Sequence, residues 1–199
     1  MNEKQPSEPG GARRAVSDLL WTLVEAFALF VLLSLVIGRF EVRQVSMEPN
    51  FHEGQRVIVS KIETLWPRLV SVAEAASDHE PEPVSLQRGQ VVVFYKSADR
   101  VGDSLIKRVI GLPGETVEIK DGSVLIDGTP LNEPYVGNLP TPCMGSCGPV
   151  TLAPNTFFMM GDNRPNSLDS RSFGPVPGEQ IIGHVVLRYW PFNQIALFP

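Results

Sequence analysis

Apolar residues gather in one long run near the start of the chain and in many short runs after it. From Leu19 to Gly38 about twenty mostly apolar residues follow one another, with Glu25 the one acid among them. At 1.5 Å per residue, a helix of that length crosses a hydrocarbon core of roughly 30 Å. A cleaved secretory signal is the competing reading, but its apolar region runs only about 7 to 15 residues and ends at a small-residue cleavage site. Here the run passes directly into Arg39, Phe40 and Glu41. The pattern therefore predicts an uncleaved transmembrane anchor over 19–38, behind a polar, disordered tail over 1–18 that holds Pro6, Pro9, Gly10 and Gly11. Lys4, Arg13 and Arg14 before the run are balanced by Arg39, Arg43 and Arg56 after it, so charge leaves the orientation open.

Beyond residue 38 the period shortens to two. Phe40 and Val42 alternate with Glu41 and Arg43, the signature of a half-buried strand that brings Ser46 to its end, with Pro49 stopping regular structure just after. Gln55–Lys61 and Gln90–Lys96 are β-branched runs opened by Gly54 and Gly89, and both read as core strands. Leu105–Ile110 is a further strand, closed by Gly111-Leu112-Pro113-Gly114; its period sets Lys107 and Arg108 on opposite faces. Thr116–Ile126 folds back across Asp121-Gly122, and Asp127-Gly128 begins another turn. Phe157–Met160 and Ile181–Trp190 complete the strands. Ile62–Gln87 reads as an inserted loop, starting as a short amphipathic helix (Leu65, Trp66, Leu69, Val70, Val72) and decaying into the acidic, proline-bearing Ser77–Pro83. The expected fold is mostly β: a β core from 39–115 and 155–199 interrupted by the loop 62–87, and a smaller inserted β lobe over 116–154 that carries a cysteine-bearing loop.

Composition narrows the chemistry. A net charge of −5, from 22 acidic and 17 dispersed basic residues, excludes a domain-scale basic patch and with it nucleic-acid binding. The 18 prolines and 17 glycines suit strands and turns better than helices. His52-Glu53 and His79-Glu80 each lack the second histidine of a zinc helix, and Cys143 and Cys147 have no further ligands nearby, so no metal and no cofactor is expected. No G-x-S-x-G elbow surrounds any serine, and His52 and His184 read as surface or strand-end residues. Lysine is the better base: a neutral amine beside a serine hydroxyl can take its proton, provided burial pulls its pKa down from about 10.4. Lys107, among Leu105, Ile106, Val109 and Ile110, is the lysine in the most apolar setting.

Three blocks then come together: S-M-E-P at Ser46–Pro49, K-R-V-I-G-L-P-G at Lys107–Gly114 and G-D-N-R-P-N-S-L-D-S-R at Gly161–Arg171. In this order after one N-terminal span, they closely resemble bacterial type I signal peptidases, and the resemblance covers nearly all of the chain beyond residue 18. It implies a membrane-anchored serine endopeptidase with a Ser-Lys dyad that removes signal peptides on the outer side of the cytoplasmic membrane. Ser46 matches the nucleophile and Lys107 the general base. Ser167 matches the serine that orients the lysine, and Asp169 and Arg171 a supporting ion pair. By alignment on Ser46, the residues Phe40, Val42, Met47, Leu105 and Ile106 fall where the family builds shallow pockets for small side chains, typically Ala, at the first and third positions before the cut of an extended, strand-like substrate. The oxyanion would meet the backbone N–H of Ser46 and a side chain two residues earlier; here that is Gln44, where some members have Ser. Gln55, Gln90 and Ser104 also stand where the family often has Asp. The resemblance places the globular part outside the cytoplasm, where Cys143 and Cys147 form either a disulfide or two free thiols. Its partners would be preprotein signal peptides and the lipid bilayer.

Two other readings use the same residues. Ser104-Leu105-Ile106-Lys107 fits the S-x-x-K of penicillin-recognising enzymes, although that motif needs a helix and no K-T-G follows. A membrane-tethered β module that binds peptides without cutting them would need Ser46 and Lys107 only for structure.

Overall fold

The computed structural model describes residues 10–65, 83–100, 102–137, 139–145 and 147–198. It separates into two compact units that meet in sequence at Val36 and Ile37.

The first unit is a single helix, α1, Gly10–Val36. Within its stretch Arg14–Val36, which has no buried residue, the most apolar 18 residues have a mean hydropathy of 2.4, so it is long and apolar enough to span a bilayer. Helix therefore begins inside the segment expected to be a tail, because Ala12, Arg13, Arg14 and Ala15 are good helix formers that extend an already nucleated helix. It stops two residues before Gly38, because Ile37 and Gly38 pair with a strand instead.

The second unit is built on antiparallel sheets. The strands are β1 (Ile37–Glu41), β2 (Arg56–Ser60), β3 (Val91–Tyr95), β4 (Ser104–Gly111), β5 (Thr116–Lys120), β6 (Ser123–Ile126), β7 (Thr129–Pro130), β8 (Val150–Thr151), β9 (Thr156–Met160), β10 (Val176–Pro177), β11 (Ile181–Trp190) and β12 (Ala196–Leu197). The larger sheet runs β1-β2-β11-β3-β4-β9-β10, with β12 also paired to β11; the smaller runs β7-β6-β5-β8.

The central strand β3 explains how the large sheet is filled on both faces. Val92 and Phe94 pack with Leu105, Val109, Phe157 and Met159. Val91 and Val93 enter a different cluster with Val42, Met47, Phe51, Val57 and Val59. A strand of period two whose every position is apolar is what burial on both faces requires.

The small sheet has no core of its own. Its Val117, Ile119 and Val124 share a cluster with Ile110, Phe158 and Met160 of the large sheet. Gly111 permits this approach, since a Cβ there would stand 2.5 Å from Val117 Cγ2 and 2.8 Å from Leu152 Cδ1. The turns at Asp121-Gly122 and Asp127-Gly128 both carry positive φ at both residues, the backbone that a two-residue hairpin needs.

His184 is not at a surface or a strand end. It lies inside β11, 7% exposed, with Nδ1 3.1 Å from Glu63 Oε2. The adjoining Gly183 lets β2 come close enough to cover it, because a Cβ at that position would collide with Ser60 O. A helical turn occupies 62–65. Trp66, Leu69, Val70 and Val72, and the acidic stretch that follows as far as residue 82, lie outside the described residues.

Candidate active site

Ser46 does not end a strand. β1 stops at Glu41, and Val42 closes the sheet by exchanging backbone bonds with Gln55 O and Gly54 N, both 2.8 Å. Ser46 then sits within a single 3-10 turn, Val45–Met47. That turn is nailed down from one side: Met47 and Phe51 are fully buried, and the N–H groups of Asn50 and Phe51 both donate to Met47 O. The hydroxyl is 4% exposed at residue level, so it is held rather than free to rotate into solvent.

Lys107 reaches it from β4. Its Nζ lies 2.5 Å from Ser46 Oγ and 3.0 Å from Ile106 O, and the residue is 1% exposed. Burial draws its pKa down from 10.5 to about 8; Asp169 and Asp162 pull it up and Arg171 pushes it down. With a pKa of 8, about a tenth of the amines are neutral at pH 7, against about one part in three thousand for an unperturbed lysine. A neutral Nζ at this distance is placed to accept the Ser46 proton, the step that would turn the hydroxyl into a nucleophile.

The loop after β9 supports both groups. Gly161 packs so tightly that a Cβ would stand 2.4 Å from Ser46 O and overlap Ser167 Oγ. Asn163 donates twice to the serine turn, from its N–H to Ser46 O and from Nδ2 to Val45 O, each at 3.1 Å. Asp169 receives Gly161 N–H at 3.0 Å and two arms of Arg171, at 2.8 and 2.7 Å, in a fully buried ion pair. Ser167 Oγ is buried and has no hydrogen-bond partner among the described residues, Lys107 included. The hydroxyl expected to orient the lysine is therefore at the site, unbonded.

Several members of this cluster carry no signal of their own in the linear sequence. Arg108 leaves the opposite face of β4 from Lys107 and clasps Asp162 at 2.8 and 2.6 Å, while Asn50 donates to Asp162 Oδ2 at 2.8 Å and to Tyr135 O at 2.7 Å. Arg164 is fully buried on Glu133 and Thr141. The signal that could have found them is a loop with Asp162, Arg164, Asp169 and Arg171 directly after an apolar strand: such charges fold only if paired.

A groove of about 460 Å³ opens beside the dyad. Phe40, Val42, Leu105 and Ile106 line it; Met47 does not, being buried in the core next to Val42. Gln44 lies on its rim, exposed, with no side-chain bond to the turn it precedes. Among the described residues both flanks keep unpaired backbone, because β1 lies at the sheet edge and β9 joins β4 only from Arg108 onward. An extended peptide can hydrogen-bond to such edges.

Cys143 and Cys147 are joined, with Cα atoms 5.6 Å apart. Among the described residues no three His, Cys, Asp or Glu side chains gather to hold a metal. Ser104 and Lys107 lie three apart on a strand and so face opposite ways, which is not the helical geometry of an S-x-x-K enzyme.

Comparison with known proteins identifies the family. The family model described as signal peptidase, peptidase S26, matches residues 16–190. Signal peptidase I of Leptolyngbya laminosa is 35% identical over 96% of this chain and 90% of its own length. Signal peptidase I T of Bacillus subtilis is 32% identical, over 86% of each chain. A crystal structure of a signal peptidase I from Enterococcus faecalis, 32% identical, matches 52% of this chain and 98% of that one with a TM-score of 0.43. The chain belongs to the signal peptidase family, peptidase S26.

Proposed function

We propose that this protein is a membrane-anchored serine endopeptidase that cleaves N-terminal signal peptides from exported preproteins, with Ser46 as nucleophile and Lys107 as general base. The observation that carries the reading is the 2.5 Å separation of Lys107 Nζ and Ser46 Oγ in a buried setting. Neutral Lys107 takes the hydroxyl proton as Ser46 Oγ attacks the scissile carbonyl. The oxyanion is met by Ser46 N–H and the Gln44 amide. The lysine then protonates the departing amine, leaving an ester on Ser46, and activates the water that hydrolyses it. Ser167 orients the lysine, and Asp169 with Arg171 steadies the loop beneath both.

The substrate lies as an added strand in the groove, with small residues, Ala above all, at the first and third positions before the cut. Phe40, Val42, Leu105 and Ile106 form shallow walls that exclude larger side chains by overlap; Met47 acts by backing Val42. The helix α1 crosses the cytoplasmic membrane once and leaves the catalytic part outside, where Cys143 and Cys147 stay oxidised. The enzyme and the scissile bond, which emerges just beyond the substrate's own apolar segment, then share one plane beside the bilayer.

The test is cleavage of a purified preprotein carrying Ala-x-Ala by the detergent-solubilised chain. Ser46→Ala and Lys107→Ala are expected to abolish cleavage while the circular dichroism spectrum is kept. Cleavage at the parent rate by either variant removes the dyad, and a folded parent that cuts nothing points to the peptide-binding module instead.

A further inference from the structure

The turn that carries the cysteines touches the support of the dyad through its backbone. Pro142 O accepts a hydrogen bond from Arg171 Nη1 at 3.0 Å. Gly145 lies against the same residue, so close that a Cβ would stand 2.5 Å from Arg171 O. Cys147 O in turn receives Ile119 N–H at 3.1 Å, which ties the far end of the turn to β5. Arg171 spends Nε and Nη2 on Asp169, so the Pro142 carbonyl holds the remaining arm of the guanidinium. Cys143 is exposed and within reach of a small thiol.

The charged groups acting on Lys107 are Asp169, Asp162 and Arg171. Asp162 is already neutralised by Arg108, whereas compensation of Asp169 depends on Arg171 staying in place.

We propose that the turn closed by Cys143 and Cys147 is a positioning element for the Ser46–Lys107 pair, acting by seating Arg171 on Asp169, and that reducing the disulfide weakens catalysis. This rests on the dyad reading given above. A dithiol such as dithiothreitol opens the bond in two exchanges: its thiolate attacks one sulfur to form a mixed disulfide, then its second thiol displaces the other. The chain gains two thiols, and the reagent gives up two electrons and two protons to become a cyclic disulfide. The freed turn relaxes from Arg171, Asp169 is less compensated, and its charge holds the proton on Lys107 more firmly. The groove lies elsewhere and keeps its shape, so the effect falls on kcat rather than KM.

The experiment uses the full chain in detergent and a purified preprotein, with kcat and KM measured from pH 6 to 10 before and after native reduction, and thiols counted in parallel. Reduction is expected to move the rising limb of kcat upward by about half a pH unit, a roughly threefold loss at pH 7, with KM unchanged. Cys143→Ser/Cys147→Ser should behave like the reduced enzyme and ignore the reagent. Gly145→Ala pushes on Arg171 without touching the sulfurs, and should show the same displacement with the disulfide intact. Superimposable profiles for oxidised, reduced and Gly145→Ala enzymes overturn the inference while leaving the dyad standing. An oxidised parent that folds but cuts nothing overturns both.

Discussion

Lys107 Nζ stands 2.5 Å from Ser46 Oγ although 61 residues separate them in the chain. Neither side chain is flexible in its setting: one is enclosed on a strand and the other sits on a turn anchored by Met47 and Phe51. The proposed catalytic pair is thus held together by the fold itself, and the cost is a buried amine whose charge the folded chain holds less readily than the unfolded one.

That cost is measurable as stability. Lys107 has its folded pKa lowered from 10.5 to about 8. Between those values the unfolded chain binds more protons than the folded one, so stability rises with pH across the window, and below about 8 the full penalty applies. A 2.5-unit depression corresponds to about 3 kcal/mol. Lys107→Met, which keeps length and removes the charge, is expected to abolish cleavage yet raise stability at pH 7 by about 1–3 kcal/mol. Denaturant titrations of both proteins from pH 7 to 10.5 check this; parallel curves would show that Lys107 is not the group responsible.

Activity should follow the same group. The parent kcat is expected to climb about tenfold per pH unit below pH 8 and level off above it, as neutral amine accumulates. A flat profile between pH 6 and 9 would mean that a different base, or a different slow step, governs turnover.

Ser167 separates orientation from stability. Its hydroxyl is buried without a partner among the described residues, an arrangement that costs about 1–3 kcal/mol. Ser167→Ala should therefore melt no lower than the parent, while kcat falls about 10- to 100-fold through loss of the hydrogen bond to the lysine during the reaction. A drop in melting temperature with kcat intact would assign Ser167 to packing alone.

Gly161 fails for a steric reason. Its φ is not in the left-handed region, but a methyl group there would overlap Ser167 Oγ and press on Ser46 O. Gly161→Ala is expected to cost about 1–3 kcal/mol and to displace the serine turn, so that activity is lost even where the protein remains folded. Thermal melts and cleavage assays at a temperature well below the transition distinguish the two effects.

Gln44 tests the oxyanion assignment. If its amide donates to the developing charge, Gln44→Ala lowers kcat about 10²- to 10³-fold with little change in KM. Because the side chain is exposed on the groove rim, stability should not move. A variant with parent-like kcat leaves Ser46 N–H as the sole donor.

The anchor, the strand-rich composition, the hairpins at Asp121-Gly122 and Asp127-Gly128, and the pairing of Ser46 with Lys107 were all legible in the linear chain. Each rests on a local rule or on a motif: hydrophobic length, period two, the φ demanded of a turn, and three blocks with the order of one family. Phe40, Val42, Leu105 and Ile106 line one groove, whereas Met47 turns inward because the 3-10 turn rotates it into the core beside Val42.

What the sequence by itself determined is which residues can do chemistry and which segments are strand or span, because side-chain type and periodicity are properties of neighbours in the chain. Only the tertiary structure decided that Ser46 rides a 3-10 turn rather than a strand end, that Arg108 and Asn50 converge on Asp162, that His184 is covered, and that the cysteine turn leans on Arg171. Those outcomes depend on contacts between residues far apart in sequence, where buried charge must find a partner and close approaches are admitted by glycines such as Gly111, Gly145, Gly161 and Gly183.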